Sequence, residues 1–371
     1  MKVCLLCVEI FAWGKYGGFG RATRVVGREL VKRGVEVTAV VPRRAGQGAE
    51  EMLDGMRVLS FPWHRPLAMT KLICECNADV YHSEHPSLAT YLAMRAMPDR
   101  RHIVTFRDPK ELHDWWQELT NPSLSKIQVL LNWFYEDGPF VRHAVRRLDG
   151  AYAAAPSVIE KLRRKYGYKD LALLATPVEL NRNVVKADKP TVVFVGRLDR
   201  RKRPQLFFEL ARKFPDVTFL AAGRARDQAW EKELRERYGN IENLKLLGFV
   251  DQFESEKLYA LLAQSWILVN TSVREGLPTS FLEALANKCA LLSSVDPGGA
   301  TSRFGRFVGD DDFEAGLADL LRNDAWRSKG EAGWDYVRQT FEVNEVLDRH
   351  MDAYQSALSA PRRVGKTGNV L

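Results

Sequence analysis

Short apolar runs alternate with helical patterns throughout the second half of the chain, and this alternation constrains the fold more than any other feature. The predicted strands are 191–195, 217–221, 244–247, 266–270 and 290–294. The predicted helices between and after them are 204–213, 227–238, 253–264, 279–287 and 312–321. Strands separated by helices form βαβ units, so the pattern predicts an α/β domain with a parallel, doubly wound sheet.

The first half follows the same alternation with less regular spacing. Its predicted strands are 2–8, 35–41, 80–82, 102–106 and 151–154, and a helix over 20–33 is expected to end at Gly34. A chain of 371 residues is long enough for two domains with separate cores. The polar segment 182–190 predicts a linker. We therefore expect domains over 1–183 and 191–340, a helix over 341–358 and a disordered tail over 359–371.

Composition narrows the class of protein. The 55 Lys and Arg residues exceed the 47 Asp and Glu residues by 8, which suits anionic partners such as nucleoside diphosphates, anionic lipid headgroups or nucleic acid. No apolar run approaches the ~18 residues of a membrane span, and the first residues lack a secretory cleavage site. Five scattered cysteines predict no disulfide framework. These features predict a soluble, cytoplasmic globular protein.

The segment REGLPTSFLEALA carries the most specific pattern. It follows an apolar strand and contains Glu275 in a loop and Glu283 in the helix that comes next. Thr279 or Ser280 is predicted to cap that helix. The helix amides then point out of the carboxyl edge of the sheet, where diphosphates bind. The two carboxylates are placed to accept hydrogen bonds from sugar and ribose hydroxyls, although an isolated pair of this kind would more often be solvated.

A basic segment, FVGRLDRRKRP, follows the first strand of the second domain. Arg197 lies at the strand end after Gly196, and Lys202 precedes the next helix. Two cations at the carboxyl edge of a sheet can stabilise the negative charge of a diphosphate leaving group. The neighbouring basic residues, including Arg203, are interpreted as a solvated turn.

Two further segments concern phosphate and metal. In GKYGGFGRA, Gly17 and Gly18 let the backbone approach a ligand, but Thr23 stands where a dinucleotide fingerprint needs its third glycine, which argues against an NAD or FAD enzyme. The run Asp310 to Asp312 precedes a helix and is interpreted as capping, so no metal site is predicted.

The combination of GGFGR, VGRLDRRK and EGLPTSFLEALA resembles the family 4 retaining glycosyltransferases of the GT-B fold. The resemblance covers nearly the whole chain. It implies two Rossmann-like domains with parallel doubly wound sheets facing across a cleft, with a terminal helix that crosses back to the first domain. It also implies a nucleoside-diphosphate sugar as co-substrate, bound mainly by the second domain, and no metal or other cofactor.

By position, the resemblance assigns Arg197 and Lys202 to the diphosphate, Glu275 to the donor sugar, Glu283 to the ribose and Gly18 to an amide contact. We take Arg197, Lys202 and Glu275 as the catalytic residues. Further donor contacts are expected from Gly17, Phe249, Val250, Gly276, Leu277, Pro278 and Thr279.

Two segments depart from the family pattern. Where many members end a strand in a histidine that lines the sugar pocket, this chain has Arg107 and Asp108. His82 or His85 is an alternative source of an imidazole there, and each is equally well explained as a structural residue. ATPVELN over 175–181 also replaces the usual Asn-Gly-Val-Asp.

These features predict metal-independent transfer of a hexose-type sugar from a UDP- or GDP-sugar to the hydroxyl of an unidentified glycan, lipid or small-molecule acceptor, with retention. One alternative is a UDP-sugar 2-epimerase of the same architecture. The other is a non-catalytic basic protein that binds nucleic acid or an anionic membrane, although no aromatic platform supports nucleic acid. The aromatic segment 111–147 is interpreted as the acceptor side, a peripheral contact with the inner membrane face, or core packing.

Overall fold

The structure is a computed structural model that describes residues 1–14, 16–62, 64–65, 67–120, 125–253 and 256–361. The chain divides into two compact units. Unit 1 comprises Met1–Pro177 together with the chain from Asn344 onward, and unit 2 comprises Val178–Val343. Each unit is built around its own parallel sheet, as the alternating pattern predicts.

Unit 1 contains an eight-stranded sheet in which every pair of neighbours is parallel except β3 and β4. Its strands are β1 (Lys2–Leu6), β2 (Glu36–Pro42), β3 (Glu50–Leu53), β4 (Met56–Phe61), β5 (Val80–Ser83), β6 (Arg101–Phe106), β7 (Gly150–Ala153) and β8 (Ala172–Leu173). The strand order is β3-β4-β2-β1-β5-β6-β7-β8. The central strands β1, β5 and β6 are buried along most of their length, as expected for a parallel sheet with helices on both faces.

The helices of unit 1 follow its strands as crossover connections. They are α1 (Gly18–Lys32), α2 (Ala68–Cys76), α3 (Leu88–Ala96), α4 (Leu112–Thr120), α5 (Lys126–Asp137), α6 (Pro139–Val145) and α7 (Pro156–Tyr166). The predicted end of α1 is confirmed, because Gly34 follows the helix with φ of 77°. A left-handed backbone suits glycine there.

Unit 2 contains a six-stranded parallel sheet in the order β11-β10-β9-β12-β13-β14. The strands are β9 (Thr191–Val195), β10 (Thr218–Ala222), β11 (Leu244–Gly248), β12 (Ile267–Asn270), β13 (Ala290–Ser293) and β14 (Gly305–Phe307). The helices are α8 (Pro204–Lys213), α9 (Gln228–Tyr238), α10 (Lys257–Gln264), α11 (Thr279–Ala286), α12 (Ala300–Phe304), α13 (Phe313–Leu321) and α14 (Ala325–Thr340). Part of the predicted start of α10 lies at residues 254–255, outside the described residues.

A last helix, α15 (Val343–Ser359), belongs to unit 1 except for its first residue. Its buried residues include Val346, Leu347 and Tyr354. The sequence predicted this helix over 341–358. The predicted disordered tail falls largely on residues 362–371, which lie outside the described residues.

The division between the units differs from the predicted linker over 182–190. It falls between Pro177 and Val178, because the next residues are bonded to unit 2. The Val178 amide donates to the carbonyl of Phe341 at 2.8 Å. Lys186 Nζ donates to the carbonyl of Asn287 at 2.6 Å. Segment 182–190 is polar, which predicted a linker, but the structure shows that it is held by hydrogen bonds within unit 2.

Candidate functional site

Two loops at the carboxyl edge of the unit 2 sheet are tied together by hydrogen bonds. One follows β9 and the other follows β12. The Thr271 hydroxyl donates to the carbonyl oxygens of Lys202 and Arg203, at 2.6 and 3.0 Å. The Val273 amide donates to the carbonyl of Arg201 at 3.2 Å. These bonds bring together two segments that are about 70 positions apart in the sequence.

The two loops also meet through their side chains. Lys202 Nζ and Glu275 Oε1 form a hydrogen-bonded ion pair, with 23% and 16% of the side chains exposed. The structure thus brings together two of the three predicted catalytic residues. The pair presents one strong donor and one strong acceptor at the place where the strands of a doubly wound sheet bind ligands.

Arg203 has a structural role that the sequence did not reveal. Its Nε donates to the Thr271 carbonyl at 2.7 Å, and its Nη2 donates to Asp311 Oδ1 at 2.7 Å. The interpretation of Arg203 as part of a solvated turn is therefore wrong. The predicted capping by the acidic run is confirmed at Asp312, whose Oδ1 accepts from an amide in the first turn of α13 at 3.0 Å.

Arg197 lies directly beyond β9, where its Nη1 is 3.3 Å from Asp199 Oδ2. The backbone here is packed closely through glycines at the ends of three adjacent strands, Gly196, Gly223 and Gly248. The Gly223 amide donates to the Gly248 carbonyl at 2.7 Å, and a Cβ on Gly223 would lie 1.8 Å from the Gly196 oxygen. A side chain at position 223 would therefore push apart the strand ends that position Arg197.

The helix that carries Glu283, α11, begins without a side-chain cap. Pro278 is its N-cap residue and Thr279 is its first helical residue. The prediction that Thr279 or Ser280 caps this helix is wrong, because both residues already lie within it. Its first amides are therefore the kind of donor that binds an anion. Glu283 lies one turn further along and is partly buried.

The other predicted donor-binding residues of unit 2 lie in loops at the same edge. Phe249 and Val250 follow β11, and Gly276 and Leu277 precede α11; all four are partly buried. The guanidinium carbon of Arg224 is 5.2 Å from the centre of the Phe249 ring. An aromatic face and a planar cation thus lie side by side next to the end of β11.

In unit 1, the start of α1 is bordered by a carboxylate that sequence analysis did not single out. Gly17 is the N-cap residue and Gly18 the first helical residue. Glu9 Oε1 accepts a hydrogen bond from the Gly20 amide at 3.0 Å. A Cβ on Gly17 would lie 2.1 Å from that oxygen, so the glycine makes room for Glu9. Glu9 follows β1 closely in the sequence, and its position beside a glycine-rich loop was the available signal.

His82 lies in the interior of unit 1. It is fully buried, with Nδ1 2.9 Å from the Tyr354 hydroxyl and Nε2 2.8 Å from the Thr105 hydroxyl. Burial lowers the pKa of His82 to about 4, which keeps the imidazole neutral at pH 7. The prediction that His82 lines a sugar pocket is not supported, because both ring nitrogens are used in packing between the sheet and α15.

Arg107 is also buried in unit 1. It forms an ion pair with Glu84, and its Nη1 donates to the Thr176 hydroxyl at 2.8 Å. Burial alone would raise the pKa of Glu84, but Arg107 and His82 bring it down to about 2. Arg107 is thus held in an internal network, and sequence analysis missed its partner Glu84.

His85 lies next to the start of α1. Its ring centre is 5.6 Å from that of Phe19, and its Nδ1 is buried without a hydrogen-bond partner among the described residues. Burial, together with the charge of Lys110, lowers the pKa of His85 to about 3, while partly buried Asp108 opposes the shift. Of the two candidate histidines, His85 is the one whose ring packs against the glycine-rich loop region.

No group of three His, Cys, Asp or Glu side chains among the described residues converges in a way that could hold a metal ion. The acidic run before α13 is engaged with Arg203 and with backbone amides.

Two family models match successive parts of the chain. Residues 16–182 match Glycosyltransferase Family 4, and residues 177–309 match Glycosyl transferases group 1. Together the two models span 16–309.

Curated relatives match over shorter segments. A phosphatidylinositol N-acetylglucosaminyltransferase subunit of Homo sapiens is 34% identical over 101 residues, 26% of this chain and 20% of that protein. The O-antigen biosynthesis glycosyltransferase WbnH of Escherichia coli is 35% identical over 108 residues, 29% of each chain. The matched segments thus span less than a third of either relative.

Solved structures match over nearly the whole chain at low identity. Sucrose-phosphate synthase from Thermosynechococcus elongatus superposes with a TM-score of 0.73 at 16% identity, covering 97% of this chain and 100% of that one. Anabaena Alr3699/HepE in complex with UDP-glucose gives 0.62 at 16% identity, covering 96% of this chain and all of the other. The fold is therefore the GT-B fold, as expected from the sequence motifs.

Proposed function

Because the chain belongs to the glycosyltransferase family 4, we propose that it transfers a sugar from a nucleoside-diphosphate sugar to an acceptor hydroxyl, with retention at the anomeric carbon. The observation that carries the proposal is the Lys202–Glu275 ion pair on two loops joined by Thr271. Such a pair supplies a cation for the diphosphate and a carboxylate for the sugar.

The diphosphate binds through positive charge and amides. Lys202 and Arg197 offset the negative charge that develops on the departing phosphate, and the first amides of α11 add a partial positive charge. The sequence motif assigns a further amide contact to Gly18, in unit 1. When the diphosphate takes over Lys202, Glu275 is released to accept a hydrogen bond from a sugar hydroxyl.

The nucleoside binds between the loop that follows β11 and the first turns of α11. Glu283 accepts hydrogen bonds from the ribose hydroxyls, while Phe249 and Val250 border the base. Gly276, Leu277 and Pro278 form the loop that leads from Glu275 into α11, whose first residue is Thr279. The candidates for sugar contacts in unit 1 are the neutral imidazole of His85 and the partly buried carboxylate of Asp108.

The reaction proceeds without a metal ion. Lys202 and Arg197 supply the positive charge for which other transferases use a divalent cation. Retention follows from attack on the same face of the sugar that the leaving phosphate departs from, with the phosphate oxygen taking the acceptor proton. Donor positioning and charge stabilisation then supply most of the catalysis.

The donor is a UDP- or GDP-linked hexose-type sugar. A UDP sugar is supported by the similarity to HepE, whose solved structure is a complex with UDP-glucose. A glycan or lipid acceptor is supported by two relatives, one a glycosyltransferase of O-antigen biosynthesis and the other a phosphatidylinositol N-acetylglucosaminyltransferase subunit. We place the reaction in the cytoplasm.

Replacing Lys202 by Ala tests the catalytic assignment. Turnover of the donor should fall about 100-fold or more at saturating donor, as for the loss of one oxyanion donor. Lys232→Ala, a change of the same kind at an exposed site on α9, is the control and should leave turnover unchanged. Equal turnover in Lys202→Ala and wild type would remove Lys202 from the site.

The stereochemistry and reaction class have their own test. Proton NMR of the product formed from an α-linked donor should show an α anomer, and a β product would contradict retention. In the absence of acceptor, a transferase hydrolyses the donor slowly and leaves its sugar configuration unchanged. Conversion of the sugar to its 2-epimer would instead identify an epimerase.

A further inference from the structure

Large hydrophobic side chains are exposed on one part of unit 1. Seven of the fifteen exposed large hydrophobic residues in the described part of the chain lie within the 29 positions from 112 to 140. Scattered apolar side chains are normal on a protein surface, but a concentrated patch marks an interaction site.

The centre of the patch is an apolar stripe along α5. Ile127, Leu130, Leu131 and Phe134 follow each other at i, i+3, i+4 and i+7, and are 71%, 58%, 56% and 43% exposed. This spacing places all four on one face of the helix. The stripe therefore points away from the interior of unit 1 as a continuous surface.

Neighbouring helices extend the stripe. Phe140 at the start of α6 is exposed, and its ring centre is 6.2 Å from that of Phe134. Helix α4, which packs against α5, exposes Leu112 and Trp116 one turn apart. Seven exposed side chains come from these three neighbouring helices, and we call them the apolar patch: Leu112, Trp116, Ile127, Leu130, Leu131, Phe134 and Phe140.

The opposite face of α4 and α5 is buried in unit 1, and this fixes the orientation of the two helices. Val129 and Asp137 of α5 are buried, and Trp115 Nε1 donates to Asp137 Oδ2 at 3.3 Å. Trp115 is buried whereas Trp116 is exposed. The core-packing interpretation of segment 111–147 therefore applies to the buried face of these helices, but it does not explain the exposed apolar patch.

The charges beside the patch are mainly positive. The carboxylates of Glu118 and Glu136 both pair with Lys110, and that of Asp137 pairs with Lys165 at 2.8 Å. Acidic residues of the segment are thereby neutralised from within unit 1. At the far end of α6, Arg146 and Arg147 are exposed.

We propose that the apolar patch lies on the surface of an anionic lipid bilayer, with the exposed arginines beside α6 contacting the headgroups. An apolar helix face bordered by cations matches the boundary between acyl chains and anionic headgroups. A second copy of this chain would cover the apolar side chains but would leave the exposed arginines without an anionic partner. In the described part of the chain no helix is long and apolar enough to cross a membrane.

Vesicle sedimentation tests the proposal and does not depend on the enzymatic activity. The full chain should bind vesicles of phosphatidylcholine with about 30% phosphatidylglycerol, and bind phosphatidylcholine vesicles at least about tenfold more weakly. Leu130→Gln with Leu131→Gln should reduce binding to the anionic vesicles about tenfold or more, because the stripe loses its two central apolar side chains. Both positions are exposed, so the thermal unfolding temperature should not change.

Two matched controls separate the patch from general surface effects. Met52→Gln with Leu67→Gln removes two apolar residues elsewhere on unit 1 that are even more exposed than Leu130 and Leu131, and should leave binding unchanged. Arg146→Glu with Arg147→Glu should abolish binding, whereas Arg322→Glu with Arg327→Glu, the same charge change on unit 2, should reduce it much less.

Three results would overturn the proposal. One is that the wild-type protein binds anionic and neutral vesicles equally well, or binds neither. Another is equal loss of binding in the patch variants and their controls. The third is a dimer in sedimentation velocity that dissociates in Leu130→Gln with Leu131→Gln while the wild type ignores vesicles, which would assign the patch to a second copy.

Discussion

Glu84 illustrates how single buried residues determine the properties of unit 1. Its carboxylate is almost fully buried, pairs with Arg107 and lies 3.8 Å from His82 Nδ1. A buried ion pair is costly to desolvate, and its partners depend on each other once it is formed. The cluster also includes the Tyr354 hydroxyl from α15, so it connects the terminal helix to the sheet.

Breaking this pair should destabilise the protein strongly. Glu84→Gln alone, or Arg107→Gln alone, should cost about 3–5 kcal/mol of unfolding free energy, because one buried charge is left without its partner. The double variant should cost less than the sum of the two. Urea unfolding at pH 7 measures all three. Single variants that each cost less than about 1 kcal/mol would contradict the role of the pair.

His82 should make the protein less stable in acid. Its pKa is lowered by burial from 6.5 to about 4, so the unfolded chain binds the proton more readily between these values. Above about pH 6.5 His82 is neutral in both the folded and the unfolded chain and does not affect stability. As the pH falls to 4, the unfolding free energy decreases by about 3 kcal/mol. Between pH 6.5 and 4, the unfolding free energy of His82→Gln should depend less on pH than that of the wild type. Parallel curves for the variant and wild type would contradict the assignment.

At the scale of elements, the candidate site depends on how two loops are held together. Thr271 bonds to the turn that carries Lys202, and the loop that begins at Thr271 carries Glu275. The hydroxyl is buried, so its two carbonyl acceptors depend on it.

Thr271→Val should loosen the site while keeping its shape. It removes the hydroxyl from a side chain of similar volume and should weaken nucleoside diphosphate binding about tenfold, since each lost bond to a buried acceptor costs about 1–3 kcal/mol. Thr271→Ser keeps the hydroxyl and should restore most of the affinity. Calorimetric titration with UDP and GDP compares the three proteins, and equal affinities would show that the loops need no such bond.

The sequence predicted those elements whose pattern is local. The apolar runs of β9 and α8 set their bounds directly, because parallel strands and amphipathic helices differ in period.

The hairpin of β3 and β4 was missed although Asp54-Gly55, with φ of 50° and 82°, is a strong turn signal. Helix α14 was missed because Gly330 and Gly333 are poor helix formers. A Cβ on Gly333 would lie 2.3 Å from Leu285 Cδ2, so close packing explains its presence.

The site was predictable to the extent that its residues adjoin strand ends. Arg197 and Glu275 follow strands and could be placed from the motif alone. The contacts of Glu84 with Arg107 and of Thr271 with Lys202 join residues 23 and 69 positions apart, and no periodicity reports them. The capping role assigned to Thr279 failed because a one-residue difference in the helix start moves a side chain from the cap into the helix.

At the scale of the whole molecule, two units with separate sheets share one chain, and α15 returns to unit 1 after unit 2 is complete. The two family models match residues 16–309, and the solved structures that share the GT-B fold cover nearly the whole chain. The proposed chemistry is concentrated at the carboxyl edge of the unit 2 sheet, whereas the apolar patch belongs to unit 1.

Removal of divalent metal should leave the whole enzyme active. In the proposed mechanism Lys202 and Arg197 provide the positive charge, so turnover with excess EDTA should equal turnover with added Mg²⁺ or Mn²⁺. The assay is donor consumption after exhaustive dialysis against chelator. Loss of activity on dialysis, with recovery on adding one metal, would contradict the metal-independent mechanism.

A crystal structure of the protein with UDP or GDP bound would show where the diphosphate lies. We expect diphosphate oxygens about 3 Å from Lys202 Nζ and from the first amides of α11, with Glu275 no longer paired to the lysine. A diphosphate bound away from this edge, with the Lys202–Glu275 pair still intact, would contradict this expectation.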